Sequence, residues 1–276
     1  MPIPLEDLYN DILAKAMRGR KLRPDALAAE AGLETEAVKR LLDGEFDEAA
    51  VRRLAPLLDL GEETLVASGR GTYKPEVQAP DGLLGFNTAF EDYFVNAYLV
   101  WDPESREAIA FDTGSDCQPM LDAARDRGLA IKLILLTHTH LDHIMRLAEL
   151  KAATGAPAYV SEAEPTEGAE PLAPGRTFTV GKLQVEARKT TGHSKGGTSY
   201  VVRGLARPLV VVGDALFAGS MGGGIVSYED ALANNRREIF TLPDETVICP
   251  GHGPLTDVGL EKRHNPFYPE LNGGAS

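Results

Sequence analysis

Leu129-Ala130-Ile131-Lys132-Leu133-Ile134-Leu135-Leu136-Thr137-His138-Thr139-His140-Leu141-Asp142-His143 is an apolar run that ends in three imidazoles and a carboxylate within six residues. The first eight residues read as a buried parallel strand, so the cluster falls where such a strand ends and loops gather ligands. His138 and His140, two apart, can point one way from an extended turn, whereas Asp142 and His143 lie where the chain should enter a helix. One strand end can thus serve two metals. A lone loop histidine is ordinarily just exposed or hydrogen-bonded, but clustering argues otherwise here. Of the six histidines three sit in this stretch, and His193 and His252 each follow a glycine further on, leaving His264 outside. Imidazole suits zinc or iron, and carboxylate widens the choice of metal.

The 276 residues, 43% hydrophobic and 25% charged, suffice for one large domain and a small one around a real core. A formal charge of −13 argues against a surface that tracks phosphates or anionic membranes, so a nucleic-acid partner is not expected. Only Cys117 and Cys249 are present, and Met1 to Asp7 lacks a secretory pattern, so a reducing cytoplasm is expected. No apolar run has the length of a membrane span.

Residues 1–72 read as a separate all-helical domain, with Leu5, Leu8, Ile12, Leu13 and Ala16 at helical spacing. Pro24 to Leu33 followed by Glu34 to Leu42 resembles the helix-turn-helix of small repressors, with Gly32 at the turn and Val38 and Leu41 inward. Glu34 and Glu36 stand where such a domain would meet phosphates, and residues 1–70 hold ten Lys or Arg against fourteen Asp or Glu. Packing or dimerisation is therefore favoured over DNA binding, and a homodimer is the expected assembly.

Gly69 to Gly85 reads as a linker into a second domain, residues 73–276. Phe94–Trp101 and Glu107–Phe111 are expected as a hairpin ending at Asp112-Thr113-Gly114, and Pro119–Arg127 as a helix. A helix is expected from about His143 to Ala153, burying Met145, Leu147 and Leu150. Pro157–Val160 is a short strand, and the acidic, proline-rich residues 162–175 a plain loop. A hairpin, Phe178–Val180 with Leu183–Arg188, leads into His193. Strands Thr198–Val202 and Pro208–Val212 follow, the latter ending at Gly213-Asp214, and Glu245–Pro250 precedes Gly251-His252. An Asp after Gly at a strand end is usually a cap or turn residue, but Asp214 keeps the company of ligand candidates that also follow strands.

His138, His140, Asp142, His143, His193, Asp214 and His252, spaced along alternating strands and helices, resemble the metallo-β-lactamase fold superfamily over about residues 77–265. That resemblance implies an α/β fold, a four-layered αβ/βα sandwich, here preceded by the small all-α domain. It implies that His138, His140 and His193 hold one metal, that Asp142, His143 and His252 hold a second, and that Asp214 bridges them. Asp112 then supports the site from behind the ligands. Gly213 to Ser220, Pro250 to Pro254 and Glu261 to Phe267 resemble the glyoxalase II branch, whose members hydrolyse thioesters such as acylated glutathione. The chain departs from that branch at Met221-Gly222-Gly223 and Gly253-Pro254, where glyoxalase II carries a basic and an aromatic residue. It also ends soon after His252, before the further helical domain of the longer enzymes would be complete.

The implied cofactors are two divalent metal ions, zinc first, then iron or manganese. The implied reaction is attack of a metal-bridging hydroxide on a small-molecule thioester or related ester, with Asp142 orienting the water and taking its proton. Cys249 reads as a buried core residue, and Lys195 as an exposed lysine that could meet an anionic substrate. Two alternatives differ in class: a mononuclear-iron persulfide dioxygenase using His138, His193 and Asp214, and a metal-binding regulator acting through residues 1–72.

Overall fold

The computed structural model describes residues 3–273. Five helices come first: α1 (Tyr9–Gly19), α2 (Pro24–Ala31), α3 (Thr35–Leu42), α4 (Glu48–Leu54) and α5 (Glu62–Gly69). Proline at the first turn starts α2, and Gly32, at φ 61°, ends it in the left-handed conformation that a side chain would oppose. Val38 and Leu41 are buried, while Glu34 and Glu36 are exposed at the start of α3.

Two six-stranded sheets follow. The first runs in order β1 (Leu83–Phe90), β2 (Tyr93–Trp101), β3 (Glu107–Phe111), β4 (Ala130–Leu135), β5 (Ala158–Ser161), β6 (Glu170–Leu172). It is antiparallel through β3 and parallel beyond. The second holds β7 (Thr177–Val180), β8 (Leu183–Lys189), β9 (Thr198–Arg203), β10 (Leu209–Gly213), β11 (Val247–Pro250) and β12 (Thr256–Asp257), also in sequence order. Only the β10–β11 pair is parallel there. α6 (Gln118–Arg127), α7 (Leu141–Ile144) and α8 (Leu147–Thr154) belong to the first half, α9 (Tyr228–Glu238) and α10 (Val258–His264) to the second.

Alternation of side chains along each strand gives every sheet two apolar faces. Inward-facing Phe111, Leu133 and Leu135 meet Tyr200, Val202, Val211 and Val247 between the sheets. On the outer face of the first sheet Leu99, Ala110 and Ile134 pack on Met120, Leu147 and Leu150 of α6 and α8. On the outer face of the second, Val201, Val210, Val212 and Ile248 share one cluster with Ile239 and Tyr268 and with Ile12, Leu13, Leu27, Leu54 and Leu65 of the first five helices. The layers are therefore helix, sheet, sheet, helix, and the N-terminal helices add to the last.

Four expectations change. The segment read as linker as far as Gly85 already contains the start of β1, an edge strand whose Gly85 and Asn87 mask its pattern. The helix expected from His143 to Ala153 is two pieces, because Thr113 intrudes: its N–H donates to the His143 carbonyl at 2.8 Å, and its hydroxyl oxygen accepts from Arg146 N–H at 3.1 Å. Met145 lies at that break and is exposed, whereas Leu147 and Leu150 are buried as expected. The acidic loop 162–175 contains β6.

Candidate metal centre

At one edge of the sandwich the ends of β4, β10 and β11 and the loop between β8 and β9 meet. β4 delivers Thr137 to His143, β10 ends at Asp214, β11 leads to His252, and the β8–β9 loop carries His193. Ligand-bearing atoms of His138, His140, His193 and Asp214 lie within 4.8 Å of one another, as do those of Asp142, His143 and His252. All seven residues singled out in the sequence are thus brought together.

Hydrogen bonds at the rear of each ring decide which nitrogen faces inward. His143 Nδ1 lies 2.8 Å from Asp112 Oδ2, His193 Nδ1 3.0 Å from the Gly223 carbonyl, and His252 Nδ1 2.6 Å from the Phe94 carbonyl. Each rear nitrogen faces an acceptor, so it carries a proton and turns Nε2 inward as the nitrogen available to a cation. Thr137 donates its hydroxyl to Asp112 Oδ2 at 2.7 Å and accepts from His138 Nδ1 at 3.0 Å, which sets the same tautomer in His138. His140 differs in presenting Nδ1, 3.0 Å from His193 Nε2.

Asp214 occupies the middle. Its Oδ2 is 3.3 Å from His193 Nε2, 3.5 Å from His252 Nε2 and 3.9 Å from His138 Nε2, and its Oδ1 is 3.3 Å from His143 Nε2. Asp142 Oδ2 is 3.4 Å from His252 Nε2 and 3.6 Å from His143 Nε2. Space here is tight: a Cβ on Gly251 would lie 2.2 Å from Asp214 Oδ1, and one on Gly222 would lie 1.8 Å from the Asp214 carbonyl oxygen. Only glycine lets the backbone approach so closely.

The donor set fits cations. His138 Nε2, His143 Nε2 and Asp214 Oδ1 are buried without a hydrogen-bond partner, and buried polar atoms ordinarily have one. Burial works against an ionised Asp214, yet the imidazoles of His252 and His143 hold its carboxyl well below the usual range. Burial would depress His143, but the Asp214 and Asp112 carboxylates outweigh it and raise the imidazole to about 10. His252 behaves alike, raised to about 11 by Asp214 and Asp142 against the effect of burial. Burial and the neighbouring His143 keep His138 well below its ordinary value. Cations bound here would displace the protons of His143 and His252, so binding would be coupled to proton release.

One contributor lay unseen in the acidic loop. Glu164 accepts from the Thr139 hydroxyl at 2.6 Å and from Gly196 N–H at 2.6 Å, tying the loop of His138 and His140 to that of His193. No sequence pattern marked it, since its partners are far away in the chain. Lys195 is exposed and borders a separate depression with Glu162 and Arg188, away from the cleft over the histidines. The cationic side chains of that cleft are Lys15 and Arg18 of α1.

Residues 91–252 match the family described as the metallo-beta-lactamase superfamily. Among curated relatives, the probable metallo-hydrolase YqgX of Bacillus subtilis is 32% identical over 64% of this chain and 92% of its own length. The hydroxyacylglutathione hydrolase GloC of Haemophilus influenzae is 28% identical over 65% of this chain and 94% of its own. Among solved structures, ETHE1 from Myxococcus xanthus superposes with a TM-score of 0.59 at 26% identity, covering 70% of this chain and 86% of that one. TTHA1623 in a di-iron-bound form gives 0.55 at 30% identity, covering 66% and 99%. No helix among the described residues is long and apolar enough to cross a membrane.

Proposed function

The chain belongs to the metallo-beta-lactamase superfamily, and we propose that within it this protein is a dinuclear metal-dependent hydrolase of a thioester or related ester. The observation that carries the reading is the Asp214 carboxylate, which turns one oxygen to His143 and the other to His193, His252 and His138. A carboxylate placed between two ligand groups suits two cations and is more than one cation needs. His138, His140 and His193 would hold the first ion, Asp142, His143 and His252 the second, and Asp214 both.

What two divalent cations supply when bound is Lewis acidity, which polarises a carbonyl and makes water acidic enough to attack near neutral pH. Asp142, held below the usual carboxylate range by His252 and His143 despite burial, is ionised and can orient that water and accept its proton. Asp112 keeps His143 and, through Thr137, His138 in the ligating tautomer. The likeness to GloC supports thioester chemistry. The histidine and carboxylate set accepts zinc, iron or manganese, and the likeness to a di-iron protein keeps iron in view.

A second reading, an iron persulfide dioxygenase centred on His138, His193 and Asp214, draws on the likeness to ETHE1. The convergence of Asp142, His143 and His252 into a further ligand group favours the hydrolase. Elemental analysis of protein purified without added metal, with a thioester and lactone panel, tests the first reading. Two equivalents of metal and thioester turnover are expected. One equivalent of iron with oxygen uptake on glutathione persulfide would replace it with the second.

A further inference from the structure

The cleft over the candidate metal centre has a volume of about 960 Å³, and the N-terminal segment and α1 contribute Glu6, Lys15, Arg18 and Gly19 to its lining. Next to Lys15 the segment Gly222-Gly223-Gly224 offers backbone alone, so the charged side chains on this side of the cleft are those of Glu6 and α1.

Lys15 is committed. It pairs with the buried Asp7, donates to the Met221 carbonyl at 2.8 Å and stands 4.9 Å from the centroid of the Phe217 ring. Ser220 donates to the same Asp7 oxygen at 2.5 Å, so α1 is fastened to the segment that follows Asp214. A Cβ on Gly19 would lie 2.2 Å from the Tyr228 ring, which shows how closely the end of α1 sits on α9. Arg18 lies three residues after Lys15 and so shares its helix face. Its side chain makes no hydrogen bond or ion pair among the described residues, and it is exposed to the cleft. The same cleft has an apolar lining in Leu141, 60% exposed, and Ile225, 74% exposed. The acidic Glu6 lies against the Gly253 turn beside His252: its backbone nitrogen would be 3.1 Å from a Cβ on that glycine.

We propose that Arg18 is the specificity determinant of this cleft and receives a carboxylate on the substrate, with Leu141 and Ile225 covering the apolar stretch between that carboxylate and the reacting carbonyl. Lys15 is a positioning residue that holds α1 in place. A guanidinium fork matches a carboxylate with two parallel hydrogen bonds, a geometry that an ammonium cannot copy. The inference rests on the hydrolase reading for the position of the carbonyl, and it makes α1 part of the active site.

The test uses the full-length, metal-loaded protein and its Arg18→Ala and Arg18→Lys variants. The substrates are S-acetyl-3-mercaptopropionate and its uncharged amide. The ligands for calorimetry are the corresponding S-acetonyl thioethers, ketones with no bond to hydrolyse. Arg18→Ala should raise KM for the anionic thioester about tenfold with kcat within about twofold, weaken the anionic ketone similarly, and leave both amides unchanged, with Arg18→Lys in between. Equal effects on the charged and uncharged members, or none on either, would overturn the proposal while leaving the hydrolase reading intact. Should the wild type hydrolyse neither thioester, the hydrolase reading is decided by the metal content and the wider thioester and lactone panel. The ketones still decide about Arg18: a preference for the anion that Arg18→Ala abolishes supports it, and an unchanged preference refutes it.

Discussion

Asp112 Oδ2 lies 2.8 Å from His143 Nδ1 and 2.7 Å from the Thr137 hydroxyl, while Oδ1 accepts Thr137 N–H at 2.7 Å. One carboxylate thus fixes rings destined for both ligand groups, and it does so from a left-handed backbone, φ 56°. Asparagine tolerates that conformation, so Asp112→Asn should fold. Its amide cannot accept from every donor now facing the carboxylate, and ring orientation should loosen. Metal affinity is expected to fall about 10- to 100-fold, read by competition with a chromophoric chelator. Unchanged affinity would show that Asp112 only braces the backbone.

Asp214→Asn keeps the shape of the residue and removes its charge. Two dications about 3.5 Å apart repel strongly, and a shared anion offsets that repulsion. The variant should keep at most one tight metal equivalent by calorimetry and lose far more in kcat than in KM. Two tight equivalents with near-normal turnover would falsify the bridging role.

Glu261 of α10 is buried, and Tyr73, Thr256, Asn265 and Gly219 N–H all donate to it. Burial raises its carboxyl and the donors oppose, leaving it at about 7 against an ordinary 4.5. A folded-state value above the unfolded one means stability that is complete below about pH 4.5 and lost as the pH rises through about 7. Denaturant unfolding of the wild type relative to Glu261→Gln should therefore show a decline over that window, at most about 3 kcal/mol. A difference that stays flat or grows with pH would mean that the donors outweigh burial.

Ile12, Leu13, Leu27, Leu54 and Leu65 share their hydrophobic cluster with Val210, Val212 and Ile248 of the second sheet. A chain beginning at Tyr73 would present that sheet face to water, at about 25 cal/mol for each Å² of apolar surface. It should aggregate or melt well below the full-length protein in thermal scans. An unchanged melting temperature would show that the helices only lean on the body.

The seven ligand candidates were readable in the sequence because chemistry confines histidine and aspartate clusters to strand ends, and apolar runs show where strands end. The strands from β2 to β11, β6 apart, were readable for the same reason. β1 was hidden by its glycine and asparagine, and β6 by an acidic loop whose pairing with β5 is made only by the folded sheet. Glu164 joins Thr139 to Gly196 across 25 and 32 residues, separations that no local pattern encodes.

The sequence by itself marked the seven ligand candidates, which follow from residue type and from apolar runs within a short window, and the fold class came with the family resemblance that those residues carry. Tertiary structure alone decided how these parts meet. It broke the helix after His143 on Thr113, turned the Asp214 carboxylate toward both ligand groups, and laid α1 along the cleft so that Arg18 lines it. The reason is physical: each of these depends on distances between segments remote in the chain, which are fixed only when the apolar faces of both sheets and the helices are packed together.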